Sequence, residues 1–260
     1  MKIRMKFFMC ILLSSLLALF ISPAAVSAQV EKNGDPDYIF YKGNTLYEEG
    51  KYDEAIREYS KLHEQGFESG SLYYNIGNCY FKKGDIGRAI LNYERAKKLI
   101  PGDSDLASNY TYARSLIKGD ISKASTPWLK RLLNIFDFFT INGLTIFLSS
   151  VFTFTLLFLL SGLFIHPLKR YYRLVLPLLL IIFILGAFSL YSRVSMLGKE
   201  AVIVSETEDA KFEPIDSATT HFTVYEGMKV SITESKKDWS KVERFDGKAG
   251  WIVSGSMERI

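Results

Sequence analysis

The chain has 260 residues, 48% of them hydrophobic and 14% aromatic, and a net charge of +4. That apolar content excludes a disordered tail, and two cysteines, Cys10 and Cys79, are too few for a disulfide-built scaffold. Nor does the basic excess point to nucleic acid: residues 29–125 hold 14 basic and 15 acidic side chains and residues 199–260 hold 9 and 12, so the excess belongs to the N-terminus and the flanks of two apolar runs.

The first predicted element, residues 1–28, has a basic start, an apolar run and small residues at Val26, Ser27 and Ala28. This is the pattern of a secretory signal with cleavage after Ala28. Cys10 stands too early, after Phe8 and Met9, to resemble a lipoprotein acceptor site. Cys79 is then the one thiol expected in the exported chain, read as a small buried residue.

Residues 36–120 hold an internal repeat. "YKGNTLYEEGKYDEAI" places Gly43, Asn44, Tyr47, Gly50, Ala55 and Ile56 34 positions before Gly77, Asn78, Phe81, Gly84, Ala89 and Ile90 of "NIGNCYFKKGDIGRAI". Period and residues resemble the tetratricopeptide helix pair. The spacing predicts that Gly77 admits a neighbouring helix, that Gly84 stops the first helix and that Asp85 caps the second, with Lys51 a poorer cap in the first repeat. Ala55 and Ala89 are the small contacts inside each pair, and Pro101 closes the second repeat. Two repeats leave an apolar face open. The segment 104–120, with Leu106, Tyr110, Ala113 and Ile117 at helical spacing, reads as a capping helix, and the small array is expected to lean further on a partner or on a membrane.

Tetratricopeptide arrays receive peptides on the face made by their first helices. Asn44 and Asn78 follow the first Gly of each repeat, and Asn75 and Asn109 stand three residues earlier in the next unit's frame. This spacing resembles the asparagine pairs that hold extended peptide backbone in peptide-binding members, where one amide both donates and accepts. Those members add basic residues for a terminal carboxylate; here the positions are Phe40 and Tyr74, which argues against carboxylate capture. Phe40, Tyr47, Tyr74 and Phe81 form an aromatic stripe on the same face. It suits an apolar peptide or partner helix, and equally packing against the segment 126–139; the asparagines could also simply be solvated.

Residues 126–137, with Trp128, Leu132, Ile135 and Phe136, read as an interfacial helix. Residues 138–165 and 174–192 contain no charged side chain and are long enough to cross the ~30 Å hydrocarbon layer. The loop 166–173 carries Lys169, Arg170 and Arg173 and is expected in the cytoplasm by the positive-inside rule, in agreement with the signal. A two-span protein of the cytoplasmic (inner) membrane is expected, with both flanking parts on the periplasmic side.

From residue 199 to 260 the texture changes to five short alternating strands around the hairpin signal Asp246-Gly247. "TVYEGMKVSI", "DWSKVERFDGKAGWI" and "SGSM" resemble bacterial SH3-like domains. The resemblance makes Tyr225, Trp239 and Trp251 candidates to border a shallow groove for peptides, cell-wall fragments or other domains; filling the small core is the alternative for one or more of them.

The fold class expected is thus multi-domain: an all-α tetratricopeptide repeat domain, a two-helix transmembrane hairpin and a small all-β SH3-like barrel. The whole order resembles the BatE-type proteins of bacterial aerotolerance operons, which implies partners among membrane-bound von Willebrand A-domain proteins and a MoxR-type ATPase. No cofactor, metal or nucleic acid is implied, and catalysis finds no support: His63, His166 and His221 fall in three compartments, and no nucleophile or phosphate-binding motif is present. A non-catalytic membrane-anchored adaptor follows, with peptidoglycan binding by the tail as the alternative.

Overall fold

The computed structural model describes residues 35–119 and 134–260. The predicted signal, 1–28, and residues 126–133 of the predicted interfacial segment lie outside the described residues.

Four helices form two pairs: α1 (Pro36–Glu48) with α2 (Tyr52–Glu64), and α3 (Gly70–Lys83) with α4 (Ile86–Leu99). The glycines act as the spacing requires. A Cβ on Gly77 would lie 2.7 Å from the Tyr93 ring, and Gly43 faces the Tyr59 ring in the same way, so each pair closes only because a side chain is missing. Gly84 ends α3 at φ +83°, and the Asp85 carboxylate then accepts from the Arg88 amide at 2.9 Å, while Lys51 makes no side-chain cap. Ala55 and Ala89 are fully buried in their pairs, and α4 stops at Leu99, two residues before Pro101. The capping helix is α5 (Ser104–Ser115), capped by Asp103 and buried through Leu106 and Ala113.

A Thr140 cap starts α6 (Ile141–Phe164), and a 3₁₀ turn, His166–Tyr171, leads into α7 (Tyr172–Met196), which begins two residues before the predicted 174. Pro177 is accommodated inside α7. The two helices meet where Gly186 receives Leu148, beside buried Leu144 and Phe136. Their outer faces are bare: only 11% of each apolar stretch is buried, with Leu174 and Ile146 widely exposed. A core helix of a water-soluble protein would show the reverse.

Seven strands make one antiparallel sheet: β1 (Glu200–Ile203), β2 (Thr207–Lys211), β3 (Thr220–Tyr225), β4 (Lys229–Lys236), β5 (Trp239–Glu243), β6 (Ala249–Val253) and β7 (Met257–Arg259), in the order β3-β2-β6-β5-β4-β1-β7. All seven contribute to one core, with Ala201, Ala210, Val224, Val230, Val242, Ile252 and Met257 turned inward, so the sheet is rolled around its own interior. The sequence reading has five strands. Its run 239–253 is the hairpin that Asp246-Gly247 signals, a pair folded at Gly247 (φ +83°), and the strand it lacks is β2, whose Glu208, Asp209 and Lys211 conceal a strand with Ala210 as its one buried side chain.

The sequence reading has the small array leaning on a partner or on a membrane; in the structure the sheet itself packs on it. Val202 of β1 joins the core of the second repeat with Leu91 and Leu106, and a Cβ on Gly87 would lie 2.8 Å from the carbonyl oxygen of Ile203. The open face of the second repeat is therefore closed by the chain's own tail, together with α5. Because β1 touches α4, the α6–α7 hairpin returns the chain to the side from which it left.

Candidate partner-binding face

The groove side of the array is built from an asparagine–tyrosine unit that recurs at the repeat period. The Asn44 Oδ1 accepts from the Tyr59 hydroxyl at 2.6 Å and from the Asn75 Nδ2 at 2.9 Å. Thirty-four residues on, the Asn78 Oδ1 accepts from the Tyr93 hydroxyl at 2.7 Å and from the Asn109 Nδ2 at 3.1 Å. Each unit thus ties a first helix to its own second helix and to the first helix of the next unit. The four predicted asparagines are brought together in two pairs. Asn44, Asn75 and Asn78 are half-buried and Asn109 is exposed.

These bonds have two consequences. The carbonyl oxygens of Asn44 and Asn78 are each doubly used, so they hold the fold as well as lining the face, unlike the alternative of simply solvated amides. Their Nδ2 groups, and the Oδ1 atoms of Asn75 and Asn109, keep the donors and acceptors that an extended backbone would meet.

The aromatic stripe is also shared between packing and surface. Phe40 lies against Tyr59 with ring centroids 5.8 Å apart, Tyr47 against Tyr52 at 5.5 Å, and Tyr74 against Tyr93 at 6.1 Å, while the Tyr74 hydroxyl accepts from Asn109 at 2.8 Å. All four predicted aromatics, Phe81 included, are half-buried. Within the described part of the segment 126–139, Phe136 packs on Leu144 and Leu148 of the apolar hairpin and Ile135 is exposed.

Between the second unit and α5 the face deepens into a hollow lined by Tyr47, Asn78, Phe81, Lys82, Asn109 and Tyr112. Lys82 and Tyr112 escape the sequence reading. Tyr112 had a signal: Asn44, Asn78 and Asn109 are each followed three residues later by an aromatic, Tyr47, Phe81 and Tyr112. Its ring stands 5.6 Å from Phe81. Lys82, on the exposed turn before Gly84, gives the hollow a cation that Phe40 and Tyr74 do not supply.

Cys79 sits beneath this face, fully buried, and burial pushes its thiol up to about 12, so it packs as an inert small residue. In the sheet the three predicted aromatics separate. Trp251 is buried and Trp239 half-buried on neighbouring strands, with the Lys211 ammonium 5.5 Å from the Trp239 ring. Tyr225 lies elsewhere, beside Gly119 and Met228 where the chain leaves α5. One groove bordered by all three is not what the sheet forms.

Family models agree with the helical part. One for the tetratricopeptide repeat matches residues 71–103, and another, described as TPR repeat, matches residues 43–84. No curated protein matches the chain. The protein is thus one that contains tetratricopeptide repeats, a class of module that serves protein–protein interaction, with two helices long and apolar enough to span a membrane and an all-β tail.

Proposed function

We propose that the chain is a non-catalytic, membrane-anchored adaptor that captures a segment of a partner protein along the α1–α3–α5 face. The observation that carries this reading is the hollow between Phe81 and Tyr112, where spare amide groups of Asn78 and Asn109, two aromatic rings and Lys82 converge while the opposite flank of the array is closed by the tail. Such a site offers backbone hydrogen bonds, apolar contact and one positive charge, which suits an extended or helical peptide with an acidic group. The bare apolar faces of α6 and α7 suit lipid, the contact of α4 with β1 favours a topology with repeats and tail on the same side of the membrane, and the basic loop 166–173 and the N-terminal signal pattern favour the periplasmic side. The order of parts supports a place beside von Willebrand A-domain proteins in an aerotolerance complex.

The test is a photo-crosslinking amino acid at Tyr112 and, as a control, at Arg57 on the exposed flank of α2, in native membranes. Adducts from position 112 alone support the groove, and a von Willebrand A-domain protein among them supports the complex. Equal adducts from both positions, or none from 112, defeat the reading. A second reading, cell-wall binding by the tail, rests on the half-exposed Trp239 with Lys211 over its ring. Retention of the full chain on isolated cell wall, lost on Trp239→Ala, would favour it.

A further inference from the structure

The groove and the sheet meet through one short helix. Along one side of α5, Asn109 bonds Asn78 and Tyr74, and the Tyr112 ring lies tilted against Phe81. Along another, Leu106 and Ala113 enter the second repeat's core, and the Tyr110 hydroxyl donates to the Glu94 carboxylate of α4. Glu94 is buried, and its second oxygen accepts from Lys229 of β4 at 3.1 Å; Lys229 also pairs with Glu200 of β1 at 2.9 Å. Just past α5, Ile117 packs into the repeat core and the sheet core alike, against Gly227.

We propose that the tail is a positioning element of the groove: β4 and β1, through Lys229, Glu94 and Tyr110, fix where α5 stands and so fix Asn109 and Tyr112. This rests on the groove reading for its consequence in binding, but the positioning itself is a property of the free protein. Three facts favour it. A buried carboxylate must keep its partners, so Glu94 cannot exchange Lys229 and Tyr110 for nothing. Helix α5 is short, and Leu106 and Ala113 are its two buried residues. And the partner side chain comes from a different part of the chain, 135 positions away, beyond both apolar helices. A ligand that tightens α5 must by linkage tighten the sheet's hold on α4, and the reverse.

Hydrogen exchange on the full chain in lipid nanodiscs tests this without any ligand. With Lys229→Met, backbone amides of residues 104–115 should exchange about tenfold faster together with those of 200–203, in line with loss of a charge-assisted bond, while residues 36–64 stay as protected as before. Lys229→Arg should restore most of the protection. Unchanged exchange in 104–115 with loosened 200–203 would overturn the proposal, as would no change in either. If Lys229→Met loosens the whole chain, Tyr110→Phe decides, since it removes one hydroxyl: faster exchange confined to 104–115 and 200–203 supports coupling, and unaltered exchange in 200–203 refutes it. Because the readout needs no partner, a groove that captures nothing in the crosslinking experiment leaves this result standing on its own.

Discussion

Helices α2 and α4 occupy equivalent places in the two repeats, yet one faces water and the other faces the sheet. Both keep the residues that make a pair: Ala55 and Ala89 are buried, and Tyr59 and Tyr93 sit beneath their glycines. They diverge on the outer flank. Asp53, Glu54, Arg57 and Ser60 of α2 correspond at 34 positions to Gly87, Arg88, Leu91 and Glu94 of α4. Asp53 and Arg57 are exposed, whereas Gly87, Leu91 and Glu94 are buried against β1 and its neighbours. A repeat position, then, is conserved in character where the repeat packs on itself and is rewritten where its neighbour changes.

The sharpest way to break the comparison is to exchange side chains on that flank. Leu91→Ala should cost about 2–5 kcal/mol, the range for a buried leucine whose cavity cannot fully collapse. Its counterpart Arg57→Ala should stay within about 0.5 kcal/mol, as exposed substitutions do. Thermal unfolding of the two variants in micelles measures the difference; equal destabilisation would mean that the flank of α4 is no more committed than that of α2.

The same pair of helices shows why some of this structure was legible in the sequence and some was not. Gly77, Gly84, Asp85 and Ala89 work through local geometry, a close approach, a left-handed turn, a cap and a tight contact, and each is required by residues within one repeat; their roles could be read directly. The doubly accepting Asn44 and Asn78 could be placed on the right face but not assigned their tyrosines, because the bonds to Tyr59 and Tyr93 depend on side-chain reach across a helix pair. What docks on the second repeat was out of reach of periodicity, since Glu94, Lys229 and Val202 are joined across the two apolar helices. Leu91 and Gly87, apolar or small where the first repeat is charged, were its one trace. In the sheet, β2 was hidden by its own polar composition, and Trp251, proposed for a groove border, is buried.

Within the pairs the two repeats should behave alike. Gly77→Leu and Gly43→Leu each force a side chain into a tyrosine ring and should cost about 1–3 kcal/mol by overpacking. Circular dichroism melts of the full chain check this, and a variant of either glycine that melts like the parent would remove the packing role given to both.

Acid separates the repeats again. Burial alone would raise the Glu94 carboxyl, but Lys229 and the Tyr110 hydroxyl more than offset this and hold it below the usual carboxylate range. Its contribution is therefore complete above about pH 4.3, the value for an unfolded glutamate, and is lost as pH falls through the lower folded value. Glu58 of α2 is likewise held down, by Lys61 and Lys42. The distinction lies in the readout: Glu94→Gln should flatten the acid response of exchange at residues 200–203, and Glu58→Gln should leave that response intact.

A smaller and symmetric effect is expected from the hydroxyls. Tyr59→Phe and Tyr93→Phe each take one of two donors from an asparagine oxygen and should cost about 0.5–1.5 kcal/mol apiece in chemical denaturation. A markedly larger loss at Tyr93 would show that the docked tail amplifies the bond beneath it.

The smallest expected effect would make the first repeat more like the second. Asp85 precedes α4 at φ −81°, ψ 84° and caps it, while Lys51 precedes α2 at φ −86°, ψ 62° with nearly the same backbone and no capping bond. Lys51→Asp places a carboxylate where the Glu54 amide is the equivalent of the Arg88 amide, and no backbone change is needed to reach it. A cap of this kind contributes about 0.5–2 kcal/mol, with charge near a helix N-terminus adding to it. Two things reduce the gain. Asp53 and Glu54 already bring negative charge to the first turn of α2, and the Lys51–Glu49 ion pair at 2.8 Å is given up. A net stabilisation of a few tenths of a kcal/mol is the expected outcome, seen as slower amide exchange across residues 52–64 with α4 unaffected. Faster exchange there would mean that the lysine, through its pair with Glu49, holds the turn of the first repeat in a way that the aspartate of the second does not.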